Sequence, residues 1–94
     1  MNTSKKSDPE KAITYSRHAE DRMIERGITR HEVESALSNP IRTKSARKGR
    51  HENQAWIIRS GQRKLLRVVS EGDINILVIT VMATSKFEKY GVSE

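Results

Sequence analysis

His18, Arg22 and Arg26 stand four residues apart in the segment Ser16-Arg17-His18-Ala19-Glu20-Asp21-Arg22-Met23-Ile24-Glu25-Arg26-Gly27. On an α-helix that spacing puts all three on one slowly drifting stripe. An imidazole can take or give a proton near neutral pH, and a guanidinium donates a fork of hydrogen bonds to phosphate oxygens. Cleavage of RNA by its own 2′-hydroxyl needs a base, an acid and cations around a phosphorane-like transition state. His18 suits the base or the acid, and Arg22 or Arg26 the phosphate clamp. The plainer alternative is a packed histidine, with arginines paired to Glu20, Glu25 and sheet-edge groups. Spacing alone favours that alternative.

The helix carrying the stripe can be delimited locally. Ser16 is the N-cap, and Glu20 and Asp21 lie early in the helix, where the dipole favours carboxylates. Ala19, Met23 and Ile24 supply its apolar side, and Gly27 ends it as a C′ glycine able to take positive φ. On a helical wheel Ala19, Met23 and Gly27 mark the buried centre, with Ile24 beside it. The His18–Arg22–Arg26 stripe falls on one flank, at the border of core and solvent. A second helix follows. Thr29 and Glu32 match a capping box, Ile28 and Val33 a hydrophobic staple, and Val33, Ala36 and Leu37 form the buried stripe. Asn39-Pro40 stops it, because the residue before proline is pushed out of helical geometry.

Beyond Pro40 the period changes. Ile41 to Ala46 reads as a weak polar strand, followed by the basic loop Arg47-Lys48-Gly49-Arg50-His51. Gln54 to Ser60 carries Trp56 and Ile58 on one face, and Lys64 to Glu71 carries Leu65, Leu66, Val68 and Val69. Gly61-Gln62 and Gly72-Asp73 are turns. Ile74 to Met82 is apolar on both faces, as in a central or well-covered strand. Ile13 to Tyr15 is a short extended lead-in, and Phe87 and Tyr90 suit a short helix or docked extension in the tail. Short turns imply an antiparallel meander. The expectation is an α+β domain over residues 13–94 behind a flexible N-terminus of residues 1–12. Its two N-terminal helices pack on one face of a three- to four-stranded antiparallel sheet.

Composition narrows the function classes. The 94 residues hold 18 Lys plus Arg against 12 Asp plus Glu, a net charge of +6, which raises the prior for a polyanionic partner. Arg42, Lys44, Arg47, Lys48 and Arg50 run without an acid until Glu52, which suits either a phosphate-backbone footprint or a solvated loop. The absence of cysteine removes disulfides, thiol nucleophiles and Cys-ligated zinc, and fits a reducing cytoplasm. His18, His31 and His51 lack metal-ligand spacing, so no metal and no cofactor is expected. There is no signal-peptide core and no apolar run long enough to span a bilayer, so the expectation is a cytoplasmic chain without a membrane partner. A core this small would be helped by homodimerisation. On the strands, Arg67 shares a face with Leu65 and Val69, as a functional cation or a rim residue with a buried stem. Thr80 reads as an ordinary β-branched strand residue.

Ser16-Arg17-His18-Ala19-x-x-Arg22-Met23-x-x-Arg26-Gly27-Ile28-Thr29, then Glu32-Val33, Ala36-Leu37 and Asn39-Pro40, resembles the bacterial domain-of-unknown-function family 4258. The Leu66-Arg67-Val68-Val69 strand and the Ile76-to-Met82 strand with Thr80 fit the same pattern. The resemblance spans about Tyr15 to Met82. It implies a fold of the barnase, colicin and RelE-like nuclease kind and a toxin-like or RNA-processing ribonuclease that uses no metal, with RNA and an antitoxin protein as partners. It carries His18 and Arg22 over as motif positions and Arg67 and Thr80 as sheet positions, and leaves the general acid unassigned. Arg26, Arg42, Lys44, Arg47, Lys48 and Arg50 are then the nucleic-acid-binding candidates. The alternatives are a non-catalytic basic module binding RNA or an acidic protein, and a structural homo-oligomer.

Overall fold

The computed structural model of the chain describes residues 12–86. Their elements are β1 (Ala12–Tyr15), α1 (Arg17–Arg26), α2 (Arg30–Ser38), β2 (Arg42–Ser45), a 3-10 turn (Arg47–Gly49), β3 (His51–Arg59), β4 (Gln62–Glu71) and β5 (Asn75–Thr84). The expectations for residues 1–11 and for Phe87 and Tyr90 lie outside the described residues.

Both helices form where their end signals lie. Ser16 Oγ accepts from Ala19 N–H at 2.9 Å, and Gly27 takes φ 65° at the C-terminus of α1. In α2 the capping box is complete: Glu32 N–H donates to Thr29 Oγ1 at 3.1 Å, and Thr29 N–H donates to Glu32 Oε1 at 3.0 Å. Glu32 also accepts a fork from Nη1 and Nη2 of Arg59 on β3, and the same Nη2 donates to Gly27 O at 2.8 Å. The Arg59 bond is the main reason the Glu32 carboxyl lies below its usual range. Asn53 Nδ2 donates to Ala36 O and Leu37 O at 3.2 and 3.3 Å, so β3 satisfies carbonyls at the end of α2.

The sheet departs from expectation. It has five strands in the order β1-β5-β4-β3-β2, and β1 pairs with β5 in parallel, with Ile13 opposite Ile76 and Tyr15 opposite Val78. The expected three- to four-stranded antiparallel sheet is therefore corrected to a five-stranded mixed one. Only β2 to β5 form the antiparallel meander. The lead-in before α1 is a strand because its apolar pair, Ile13 and Tyr15, extends the apolar surface of β5 at the sheet edge. A four-residue segment carries too little pattern to announce a partner more than sixty residues away.

The core lies between the helices and one sheet face, from Ala19, Met23, Ile28, Val33 and Ala36 against Ile57, Leu66, Val68, Val78 and Val81. Ile24 and Gly27 depart from the helical wheel. Ile24 is 81% exposed and Gly27 is exposed as well, because only the narrow stripe of α1 at Ala19 and Met23 reaches the sheet.

A β-bulge explains why β5 is apolar on both faces. Val69 pairs with Thr80 but Ser70 pairs with Val78, so Ile79 is an extra residue on β5. Core-facing residues change phase there, from Ile76 and Val78 to Val81. Thr80 consequently points to the face opposite Val78. Ser16 sits at this bulge: its N–H donates to Val78 O at 2.9 Å and its Oγ to Ile79 O at 2.8 Å.

Ser16→Ala removes a helix cap and a bond to the bulge together, and is expected to destabilise the fold by about 1–2 kcal/mol in urea unfolding. Gly72→Ala is expected to cost more, by the same measurement. Gly72 has φ +97°, and a Cβ there would lie 2.1 Å from Asn75 O, so the β4–β5 turn has to move.

Candidate active site at the outer edge of β5

β1 stops opposite Val78, while β5 continues to Thr84. Among the described residues no strand covers the outer side of Thr80–Thr84. α1 fills that position, since it starts at Ser16 and runs on from the end of β1. A cleft of about 500 Å³ lies between the two, lined by His18, Arg22 and Arg26 from the helix and by Arg67, Thr80, Met82 and Thr84 from the sheet.

All four residues expected to be catalytic, His18, Arg22, Arg67 and Thr80, therefore line one cavity, and Arg26 joins them. The helical flank faces the sheet edge because Ala19 and Met23 are turned into the core beside it. His18 and Arg26 are exposed. Arg22 donates to Glu25 Oε1 at 3.3 Å across one helical turn, an exposed pair of little energetic weight.

Arg67 is held differently. Its Nε donates to Glu52 Oε2 at 2.8 Å and its Nη2 to Glu52 Oε1 at 2.9 Å, a two-point fork. Its Nη1 lies 3.4 Å from Met82 Sδ, on the cleft wall. Glu52 is only 6% exposed. Gln54 Nε2 donates to Glu52 Oε2 at 2.8 Å, while Gln54 Oε1 is buried with no hydrogen-bond partner among the described residues. Burial acts to raise the Glu52 carboxyl. Hydrogen bonds from Arg67 and Gln54, with the charges of Arg67 and Lys44, outweigh it, and the group lies below its usual range. Glu52 is thus an ionised carboxylate inside the protein, paired and hydrogen-bonded.

Strand register shows how this pair meets the cleft. Lys44, Glu52, Val69 and Thr80 are opposite one another across β2, β3, β4 and β5, and Arg42, Gln54, Arg67 and Met82 form the adjacent row. Cross-strand partners project to one face, so both rows belong to the face away from the helices. Arg42 and Lys44 share that face with Arg67 but sit on the far edge strand, outside the cleft lining. Arg47 and Lys48 lie in the exposed 3-10 turn beyond it, and Arg50 pairs with Glu71 at 3.2 Å. The expected nucleic-acid set is therefore split, with Arg26 in the cleft and the other five towards the opposite edge.

Glu52 and Gln54 were not singled out by sequence. Glu52 merely closes the basic run, and its alternation with Gln54 and Trp56 is the one available signal that all three share a face. Trp56 is half-buried with the Arg63 guanidinium 4.1 Å from its ring centroid, which ties it to β4 away from the cleft. Among the described residues no three His, Asp or Glu side chains gather as a metal site, and no helix is long and apolar enough to cross a membrane.

A family model described as "Domain of unknown function (DUF4258)" matches residues 15–83, which include every residue lining the cleft except Thr84. No curated protein and no solved structure matches the chain.

The charge on Glu52 sets a pH dependence. Its folded pKa is lowered, so its contribution to stability is present above the ordinary glutamate range and lost as pH falls through the lowered value. The gap in melting temperature between wild type and Glu52→Gln is expected to be widest at neutral pH and to close as pH falls below the ordinary glutamate range in a thermal-melt series.

Proposed function

The chain belongs to the DUF4258 family, whose description names no activity, and from the geometry of the cleft we propose that it is a metal-independent RNA endonuclease. One observation carries this reading: an exposed histidine on a helix and three arginines from two elements converge on one cleft with a threonine hydroxyl.

The chemistry follows from what each group can do. A phosphodiester in the cleft meets Arg22, Arg26 and Arg67, which offset the charge that grows on the phosphorus-bound oxygens. His18 takes the 2′-hydroxyl proton as the O2′–P bond forms. The P–O5′ bond breaks, and the departing oxygen takes a proton from water in the open cleft. The products are a 2′,3′-cyclic phosphate and a 5′-hydroxyl. Thr80 Oγ1 donates a hydrogen bond to a phosphate oxygen. Arg42, Lys44, Arg47 and Lys48 attract the remaining backbone and contribute affinity rather than chemistry. Within this reading the fold is of the RelE-like nuclease kind and the protein acts in the cytoplasm as the toxin of a toxin–antitoxin pair.

Purified wild-type chain is expected to cut single-stranded RNA and to leave the 2′-deoxy version intact. His18→Ala should lower the cleavage rate by about 10²–10⁴-fold, and Arg67→Ala by about 10²–10³-fold. Arg47→Ala with Lys48→Ala should weaken binding and flatten its salt dependence while leaving the rate of bound RNA unchanged. Cleavage, growth inhibition and RNA affinity all unaffected by His18→Ala and Arg22→Ala would sink the nuclease reading. RNA affinity without any cleavage by the wild type would replace it with a binding module.

A further inference from the structure

We infer that Glu52 is a positioning residue that acts through Arg67, presenting the guanidinium edge to a phosphate group in the cleft. This rests on the reading of the cleft as a phosphodiester site, and it adds to that reading a residue outside the cleft lining.

Three observations carry it. First, the fork between Glu52 and Arg67 uses Nε and Nη2, so it fixes the plane of the guanidinium and not merely its charge. With those two nitrogens on Glu52, the third, Nη1, is directed to Met82 on the cleft wall. Second, Glu52 is itself held in place. Gln54 Nε2 binds the same Oε2 that receives Arg67 Nε, so one carboxylate oxygen is anchored from two directions. Third, a buried ion pair is a poor source of stability, because desolvation of both charges offsets their attraction. Leu65, two residues from Arg67 and on the same face of β4, is fully buried, so apolar packing is available on this face of the sheet. A pair that gains little over apolar packing, yet fixes one arginine in one plane, has the properties of a support for a binding group.

Glu52 does not serve as the base. It is buried, both its oxygens are occupied by donors, and it lies across β4 from Thr80 rather than in the cleft. Its effect must pass through Arg67, and this separates a positioning role from a general structural one.

The test is a double-mutant cycle in the full chain. Glu52→Asp keeps the charge and fold but withdraws the carboxylate by one methylene, and Glu52→Gln keeps the length but removes the charge. Each is made in the wild-type and Arg67→Ala backgrounds. Cleavage is measured together with affinity for a 2′-O-methyl oligonucleotide that cannot be cut. Glu52→Asp is expected to lower kcat by about tenfold to a hundredfold, with KM changed by less than about twofold. In the Arg67→Ala background it should change neither kcat nor affinity further. Equal losses in both backgrounds, or full activity of both Glu52 variants, would overturn the inference.

A second readout is independent of catalysis. The Arg67 Nε–H resonance in ¹⁵N spectra should shift on adding the 2′-O-methyl oligonucleotide to wild type, and should lose that response in Glu52→Asp. A wild type that cuts no RNA yet shows this pattern overturns the nuclease reading and supports the positioning role. An Arg67 signal that ignores the oligonucleotide in wild type overturns the positioning role, whatever the cleavage assay shows.

Discussion

The hydroxyl of Ser16 holds the two halves of the cleft together. It accepts from Ala19 N–H, which starts α1, and it donates to Ile79 O, the carbonyl of the extra residue in β5. The backbone N–H of Ser16 adds a third tie, to Val78 O. One residue therefore ends the parallel pairing of β1, caps the helix and binds the bulge. Everything that lines the cleft is referenced to this point. The helical stripe begins two residues after it, and Thr80 follows the bulge directly. Were α1 to start one residue later, its wheel would turn by about 100° and the stripe would leave the sheet edge.

The charges are distributed in two different ways around this frame. On α1 Arg17 and Arg26 are exposed and Arg22 is half-buried, and among the described residues short-range pairs such as Arg22 with Glu25 restrain this wall. On the sheet the cation is anchored by a buried carboxylate, itself braced by Gln54. Solvated groups on one wall can adapt to a ligand, while the anchored group on the other supplies a fixed reference. The helix–sheet packing is supported by polar bonds of its own, from Glu32 to Arg59 and from Asn53 to the end of α2. Tyr15 contributes at the other side, donating to Glu34 at 2.9 Å beneath the Arg30 guanidinium. Burial, with Glu34 beside it, pushes the Tyr15 phenol far up, so it remains a neutral donor.

Local signals in the chain were legible where the physics is local. Ser16, Gly27, Thr29, Glu32 and Pro40 delimit two helices because caps, left-handed turns and proline act within a few residues of backbone. The flank carrying His18, Arg22 and Arg26 followed from helical periodicity. Ile24 did not conform, because a wheel ranks residues by angle and has no knowledge of how wide a stripe the sheet will cover. Arg67 was placed on the correct strand face by alternation. Its partner Glu52 was not found, since a carboxylate closing a basic run is indistinguishable by sequence from a solvated one.

What the sequence determined by itself is the helix pair, the turns, the excess of basic charge and the identity of the polar stripe. These depend on short-range sterics, hydrogen bonding and composition. Only the tertiary structure decided that β1 pairs in parallel with β5, that a bulge at Ile79 rotates Thr80 away from the core, and that Glu52 receives Arg67 across two strands. Each of these joins residues distant in the chain, and each depends on strand register. A shift of one residue in register exchanges the faces of a strand without changing its composition. The cleft is therefore written in the sequence only as unconnected residues, and it is the register of the mixed sheet that brings them together.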